Sequence, residues 1–125
     1  MGTRIWCLLL ALALFASCSR TPADQSNVGV NISVSPTPLA VGPATVQVTL
    51  SDSAHQPITG ARVSLEGNMS HAGMVPVNAT AHETAPGTYV ADMKLTMSGD
   101  WVMIVRADLP NGQHVERQLP IGSVS

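Results

Sequence analysis

The sequence has little charge and few aromatic residues, and its composition excludes several classes of protein. Charged residues make up 11% of the 125 residues, and the formal net charge at pH 7 is −2. So few basic side chains cannot form the positive face with which proteins bind the phosphates of nucleic acids. Hydrophobic residues make up 45% of the chain, which is too many for an intrinsically disordered protein. The composition therefore predicts a single folded domain that does not bind nucleic acid.

Motifs of enzyme catalysis are also missing. The sequence contains no Gly-x-Ser-x-Gly elbow, no His-Glu-x-x-His motif and no phosphate-binding glycine loop. Its two cysteines, Cys7 and Cys18, both lie in the N-terminal segment, so the folded part offers no thiol nucleophile and no disulfide. We therefore expect a protein that is not an enzyme and whose stability comes from its apolar core.

The N-terminal segment has the pattern of an export signal. Arg4 precedes an apolar run over residues 5–16, and this run is shorter than the roughly 20 residues that a membrane-spanning helix needs. The run ends in Ala16-Ser17-Cys18, which resembles the lipobox of bacterial lipoproteins, although Phe15 replaces the usual leucine. An ordinary secretory signal followed by a chance cysteine is the alternative.

The lipobox resemblance implies lipidation of Cys18 and cleavage just before it. Residues 1–17 are then a lipoprotein signal peptide, residues 18–27 a lipidated tether, and residues 28–125 the folded domain. This arrangement predicts a protein that a lipid anchor attaches to the cell envelope, facing the periplasm. The residues that follow Cys18 favour the outer membrane as its destination.

The folded part consists of short apolar runs separated by turns that contain proline or glycine. Seven runs have the pattern of strands, most of them alternating apolar and polar residues, over residues 28–35, 45–50, 61–66, 75–82, 88–97, 101–107 and 113–121. This spacing, without helical periodicity, predicts an all-β fold, a seven-stranded antiparallel β-sandwich. We expect Trp101, Met93 and Met103 in its core. Tyr89 is also expected to be structural, with its hydroxyl bonded to a nearby carbonyl.

Two methionines and a histidine lie between the third and fourth runs. Met69, His71 and Met74 fall within six residues, with Gly67 before them and Gly73 directly before Met74. Thioether sulfur combined with imidazole is a ligand set that selects Cu(I) over harder divalent ions. Glycines allow a loop to fold tightly enough to bring several side chains to one place. The alternative is that the methionines fill the core while His71 is a solvated loop residue.

Met97 is the fourth candidate ligand, and it directly precedes the Ser98-Gly99-Asp100 turn. Alternate turns of a seven-stranded sandwich share one end of the domain, so this turn should lie beside the loop of Met69, His71 and Met74. Met97 has the parity of the inward-facing residues, which predicts that its thioether emerges at the rim of the sandwich. Packing of Met97 in the core is the alternative.

The other histidines, His55, His82 and His114, lie in or near turns that should share the opposite end of the sandwich. One interpretation is a second, harder site there for Cu(II) or Zn(II). The other is that these histidines are scattered on the surface.

A set of motifs resembles a known family. It consists of His71-Ala72-Gly73-Met74 after a strand, Ala85-Pro86-Gly87-Thr88-Tyr89, and Met97-Ser98-Gly99-Asp100-Trp101. The set resembles the YtkA-like domain family over residues 28–121, and more distantly the FixH proteins that are associated with copper-oxidase assembly. The resemblance implies an immunoglobulin-like sandwich that is exported, often membrane-attached, and involved with copper or another heavy metal.

Two functions fit these observations. The first is a membrane-anchored extracytoplasmic protein that binds Cu(I) and acts as a copper chaperone, sensor, or efflux or oxidase-assembly accessory. Its partner would be a copper-export or oxidase-assembly protein. The alternative is a structural or protein-interaction module of the cell envelope that binds no metal. In that case the outward apolar residues Val102 and Ile104 would mark the partner surface.

Overall fold

The computed structural model describes residues 27–71 and 73–125, and these residues form seven antiparallel strands. The strands are β1 Gly29–Ser35, β2 Gly42–Ser51, β3 Arg62–Met69, β4 Val77–Ala85, β5 Thr88–Leu95, β6 Gly99–Asp108 and β7 His114–Val124. Within the described part of the chain, no helix is long and apolar enough to cross a membrane. The prediction of an all-β, seven-stranded antiparallel fold is confirmed.

The strands lie in the order β1-β2-β5-β4-β3-β6-β7. β4 joins the two halves of this arrangement, because its first part pairs with β3 and its last part pairs with β5. The outermost strands approach each other, and Arg117 of β7 donates a hydrogen bond of 3.4 Å to the carbonyl of Val28, just before β1. The result is an immunoglobulin-like sandwich whose sheet is nearly closed.

The core follows from the alternation within the strands. Val46, Val48 and Leu50 of β2 face inward with at most 1% exposure, while the residues between them face solvent or are half-buried. Met93 and Met103 are buried at 7% and 0% exposure, as expected. No polar or charged residue is buried anywhere in residues 27–71 and 73–125, so apolar burial is the main source of stability.

A smaller apolar cluster closes one end of the sandwich. Its buried members are Ala44, Leu95, Trp101 and Val124. The Trp101 ring lies over Gly67, where a Cβ atom would come within 3.0 Å of the ring carbon Cζ3. At 1% exposure, Trp101 has the structural role that the sequence predicts.

The opposite end is fixed by hydrogen bonds to side chains. The buried Tyr89 hydroxyl donates to the Ile58 carbonyl at 2.8 Å and accepts from the Ala61 amide at 3.1 Å. Glu83 accepts from the backbone amides of Gly60 and Gly87 at 3.2 and 3.1 Å. The expected bond between the Tyr89 hydroxyl and a carbonyl is therefore confirmed.

Two strand boundaries differ from the prediction in a way that matters for the candidate ligands. β3 extends to Met69, because its ladder with β6 continues to the pair Met69–Trp101. β5 ends at Leu95, because that residue is opposite Gly42, the first residue of its partner β2. Met97 therefore lies beyond the strand and is 50% exposed. The expectation that Met97 belongs to β5 is wrong, and so is the alternative that it packs in the core. An exposed side chain at this position is compatible with the expected place of Met97 at the rim.

Candidate metal centre

Three connections lie together at one end of the sandwich, which we call the site end: residues 36–41, residues 70–71 with 73–76, and residues 96–98. The pairing of Met69 with Trp101 places the end of β3 beside the beginning of β6, and Gly42 opposite Leu95 brings the β1–β2 connection next to the β5–β6 turn. The C-terminal residue Ser125 is hydrogen-bonded to this end, donating to Leu39 and accepting from Val41. The prediction that the two ligand-bearing turns share one end is confirmed.

Met69 and His71 converge over Gly99. A Cβ atom built on Gly99 would lie 2.5 Å from Met69 Cε and 3.8 Å from His71 Cε1. The glycine therefore leaves space that the thioether side chain occupies, with the imidazole beside it. Gly99 also has a φ of +131°, a backbone conformation that residues with a side chain rarely adopt. In the sequence Gly99 is recognisable only as part of a motif, and its role as the base of this arrangement becomes visible in the fold.

Met74 joins Met69 on the same apolar base. Both side chains are half-buried and pack against the cluster that contains Leu95, Trp101 and Val124. His71 is exposed beside them. The structure thus brings two thioether side chains and one imidazole to one end of the domain, with the imidazole on the solvent side.

Met97 lies in the adjoining turn, two positions before Gly99. Its carbonyl accepts a hydrogen bond of 3.0 Å from Trp101 Nε1, which fixes the backbone of the turn to the buried ring. Its side chain is 50% exposed. Met97 is therefore positioned at the rim of the site end, on a backbone that the core holds in place.

The site end has few charged side chains; Asp100, which follows Gly99 in β6, accepts a hydrogen bond from the Ser123 hydroxyl. The three connections contain no Asp, Glu, Lys or Arg. The main ion-pair network lies on the outer face of β3, β6 and β7, where Arg106 contacts Glu66 at 2.8 Å and Glu116 at 2.9 Å. The hydrogen bond from Arg106 lowers the pKa of Glu66 below its usual value, with a smaller contribution from Asn68. Neutral side chains are thus the donors that the three connections offer.

This donor set fits a soft monovalent ion better than a hard or borderline one. Thioether sulfur and imidazole suit Cu(I), whereas zinc sites are built from Cys, His and carboxylates. In residues 27–71 and 73–125, no group of three or more His, Cys, Asp or Glu side chains is placed to hold a metal ion. Met69 and His71 lie beside the space above Gly99 that a Cβ atom would fill. Their side chains are of the thioether and imidazole type that suits Cu(I).

Residues 23–106 match the YtkA-like family. The match extends from before β1 to within β6, covers more than half of the chain and includes all four candidate ligands. This chain belongs to the YtkA-like family. A search of curated protein sequences gave no match.

Among solved structures, this YtkA-like chain is similar to the soluble domain of PmoD from Methylocystis sp. ATCC 49242 (Rockwell). The two share 14% identity with a TM-score of 0.51, over 77% of this chain and 90% of that one. It is also similar to superoxide reductase (neelaredoxin) from Ignicoccus hospitalis, with 16% identity and a TM-score of 0.53, over 82% and 87% of the two chains. At these identities the similarity shows a shared fold.

The remaining histidines of the YtkA-like domain lie away from the site end. His55 is in the β2–β3 connection with a φ of 59°, and His82 is an exposed residue of β4. His114 begins β7, and its Nδ1 atom lies 2.5 Å from Asp108 Oδ1. None of them belongs to a metal-holding group within the described ranges, so the structure gives no support to a second, harder site.

The predicted lipidation site lies outside the described residues. Cys18, the signal peptide over residues 1–17 and most of the tether over residues 18–27 precede Asn27, where the described chain begins. The lipid anchor and the envelope location therefore stay predictions from the sequence.

Proposed function

We propose that this YtkA-like protein is an extracytoplasmic Cu(I)-binding protein whose ligands are Met69, His71, Met74 and Met97. The observation that carries the proposal is the convergence of Met69 and His71 over Gly99, where a Cβ atom would lie 2.5 Å from Met69 Cε and 3.8 Å from His71 Cε1. The copper role that the family resemblance implies supports the same assignment.

The chemistry of the donors suits a protein that takes up copper and passes it on. Thioethers are neutral and bind a metal without losing a proton, whereas a histidine ligand must be in its neutral form. Because His71 and Met97 are both exposed, an incoming partner can reach them and exchange ligands stepwise. We assign the protein the role of a carrier or accessory rather than an enzyme.

The position at which the chain enters the folded domain supports a role for the site end in binding a partner. Asn27 and Val28 lie beside Asp52, Ser53 and residues 109–111, at the end of the sandwich opposite the site end. A tether that runs from Cys18 to Asn27 would therefore attach the domain by its far end. The metal site would then face away from the membrane, toward a copper-export or oxidase-assembly protein.

A second candidate function, protein interaction without metal, is favoured by the distribution of exposed apolar residues. Among the described residues, the large apolar side chains that are exposed are Val75 at 79%, Met97 at 50% and Val41 at 48%. All three lie at the site end. Val102 and Ile104, which the sequence suggests as a partner surface, are half-buried instead. An interaction module would accordingly use the site end and not the face of β6.

Cu(I) titration against a competing chromophoric chelator tests the proposal. Met69→Leu, His71→Ala and Met97→Leu should each weaken binding at least about tenfold, which corresponds to about 1.4 kcal/mol. The leucine variants keep the apolar volume and remove only the sulfur. His55→Ala is the matched control, since it removes an exposed histidine from the opposite end, and it should bind like the wild type.

Zn(II) titration of the same variants separates a soft site from general metal binding. Met97→Leu should leave Zn(II) affinity nearly unchanged, because zinc gains little from a thioether. If all variants bind Cu(I) as tightly as the wild type, the copper assignment fails and the interaction module becomes the better account. If only Met97→Leu is unaffected, Met97 leaves the ligand set, and Met69 and His71 remain in it.

A further inference from the structure

The methionines of the described chain differ strongly in exposure. Met103 and Met93 are buried in the core at 0% and 7%, and Met97 is 50% exposed. Met69 and Met74 are half-buried against the apolar cluster of the site end. Met97 is thus the methionine that presents its thioether most freely to water, and it does so two positions before Gly99, on which Met69 and His71 converge.

Exposure decides which thioethers a water-soluble oxidant can reach, because buried methionines must wait for the domain to open. Met97 needs no opening, since β5 ends at Leu95 and the turn projects its side chain outward. Its backbone is nevertheless fixed by the hydrogen bond from Trp101 Nε1 to the Met97 carbonyl. A change in the Met97 side chain can therefore occur without unfolding the core beneath it.

We propose that Met97 is a modification site, at which a peroxide oxidises the thioether to the sulfoxide and so weakens the soft metal site. The sulfur donates an electron pair to one peroxide oxygen, an S–O bond forms and the O–O bond breaks. The sulfur is oxidised by two electrons. With hydrogen peroxide, the second oxygen takes up the proton that the first oxygen releases and leaves as water. The effect on metal binding rests on the function proposed above, whereas the selective oxidation does not.

The product is a poorer ligand for Cu(I). Sulfoxide formation replaces a soft, apolar thioether with a polar group whose exposed donor is a hard oxygen, and Cu(I) prefers soft sulfur. Methionine sulfoxide can be reduced again by dedicated enzymes, so the change is reversible in a cell. Conversely, a metal ion that holds the Met97 sulfur lone pair should slow its oxidation.

Peptide mass spectrometry of the metal-free, full-length protein after hydrogen peroxide treatment tests the modification. Trypsin cleaves after Lys94 and Arg106, so Met97 and Met103 lie in one peptide, and fragment ions compare them directly. We expect Met97 to be oxidised at least about tenfold faster than Met103, with Met69 and Met74 between them. In urea the methionines should react at similar rates, which shows that the fold creates the difference.

Equal rates for Met97 and Met103 in the folded protein, or faster oxidation of Met69 or Met74 than of Met97, would overturn the proposal. The link to metal binding is tested with Ag(I), a soft cation that does not cycle between oxidation states as copper does with peroxide. Ag(I) should slow Met97 oxidation, and peroxide should lower Ag(I) affinity in the wild type but not in Met97→Leu. Selective oxidation without protection by Ag(I) would keep the modification site and remove Met97 from the metal site.

Discussion

Gly99 is the residue on which the geometry of the candidate site depends most. It combines a φ of +131° with a Cβ position that Met69 Cε already occupies, at 2.5 Å. A side chain at this position would strain the backbone and displace the methionine. His71, at 3.8 Å from the same position, would lose the neighbour with which it shares the space.

Replacing Gly99 with alanine should therefore affect both stability and metal binding. The backbone strain should cost about 1–3 kcal/mol of unfolding free energy, measured by urea denaturation. Displacement of the Met69 side chain should also weaken Cu(I) binding, measured by chelator competition.

Gly122→Ala is the matched control for this prediction. Gly122 has a φ of +102°, but a Cβ atom there would meet nothing within 4 Å. The control should lose stability by a similar amount and keep its Cu(I) affinity. If Gly99→Ala binds copper as tightly as the control, Met69 and His71 do not form the site as described.

At the scale of the strands, the sequence predicts the existence of each element better than its ends. The alternation of Val46, Val48 and Leu50 is visible in the sequence because one face of β2 packs in the core. Where a strand ends depends instead on its partner, and no local pattern shows that Leu95 is opposite the first residue of β2. This is why the sequence predicts the correct end of the domain for Met97 but wrongly includes it in β5.

In the candidate site, too, some features are visible in the local sequence and others depend on contacts between distant strands. The soft donors Met69, His71 and Met74 can be recognised from their composition and spacing. The need for glycine at position 99 is a long-range effect, because it arises from a side chain of β3 packing on the first residue of β6. The Met-x-Gly-x-Trp motif contains both this glycine and Trp101, yet a motif alone does not tell which atoms they contact.

Tyr89 links β5 to the β2–β3 connection and makes the opposite end sensitive to alkaline pH. Burial raises the pKa of its hydroxyl above the usual value, so the folded protein holds this proton more tightly than the unfolded chain does. The resulting stabilisation is complete below the unfolded pKa of about 10 and is lost as the pH rises through the folded pKa. Unfolding free energy should accordingly decrease above about pH 10.

Urea denaturation across the alkaline range, with Tyr89→Phe as comparison, measures this effect. The variant loses the bonds to Ile58 and Ala61, and we expect a cost of about 1–3 kcal/mol at neutral pH because two backbone groups lose a partner. Its stability should also depend less on pH above about 10. The chain contains a single tyrosine, so no other phenol can produce the signal. An unchanged alkaline slope in Tyr89→Phe would assign the pH dependence to other groups.

At the scale of the whole molecule, the two ends of the sandwich differ in chemistry. The opposite end carries Asp52, Glu83, Asp108 and His114 in or near its connections, whereas the connections of the site end contain no Asp, Glu, Lys or Arg. The chain enters the domain at the charged end. A domain anchored there would present connections without charged side chains, and with exposed methionine and valine side chains, to its surroundings.

This difference between the two ends leads to one proposal for how the YtkA-like domain is oriented and acts. The charged end would face the tether and the membrane, and the site end would hold a soft metal ion where a partner can reach it. The exposed Val41 and Val75 would then provide apolar contact around the ligands.

X-ray absorption spectroscopy at the copper edge of the Cu(I)-loaded protein tests the central claim most directly. The Cys7→Ser/Cys18→Ser double variant contains no cysteine, so any sulfur bound to copper must come from methionine. The account predicts a first coordination shell dominated by sulfur together with one imidazole nitrogen, and fewer sulfur neighbours when Met69→Leu is added. A shell of nitrogen and oxygen alone, unchanged by Met69→Leu, would contradict it.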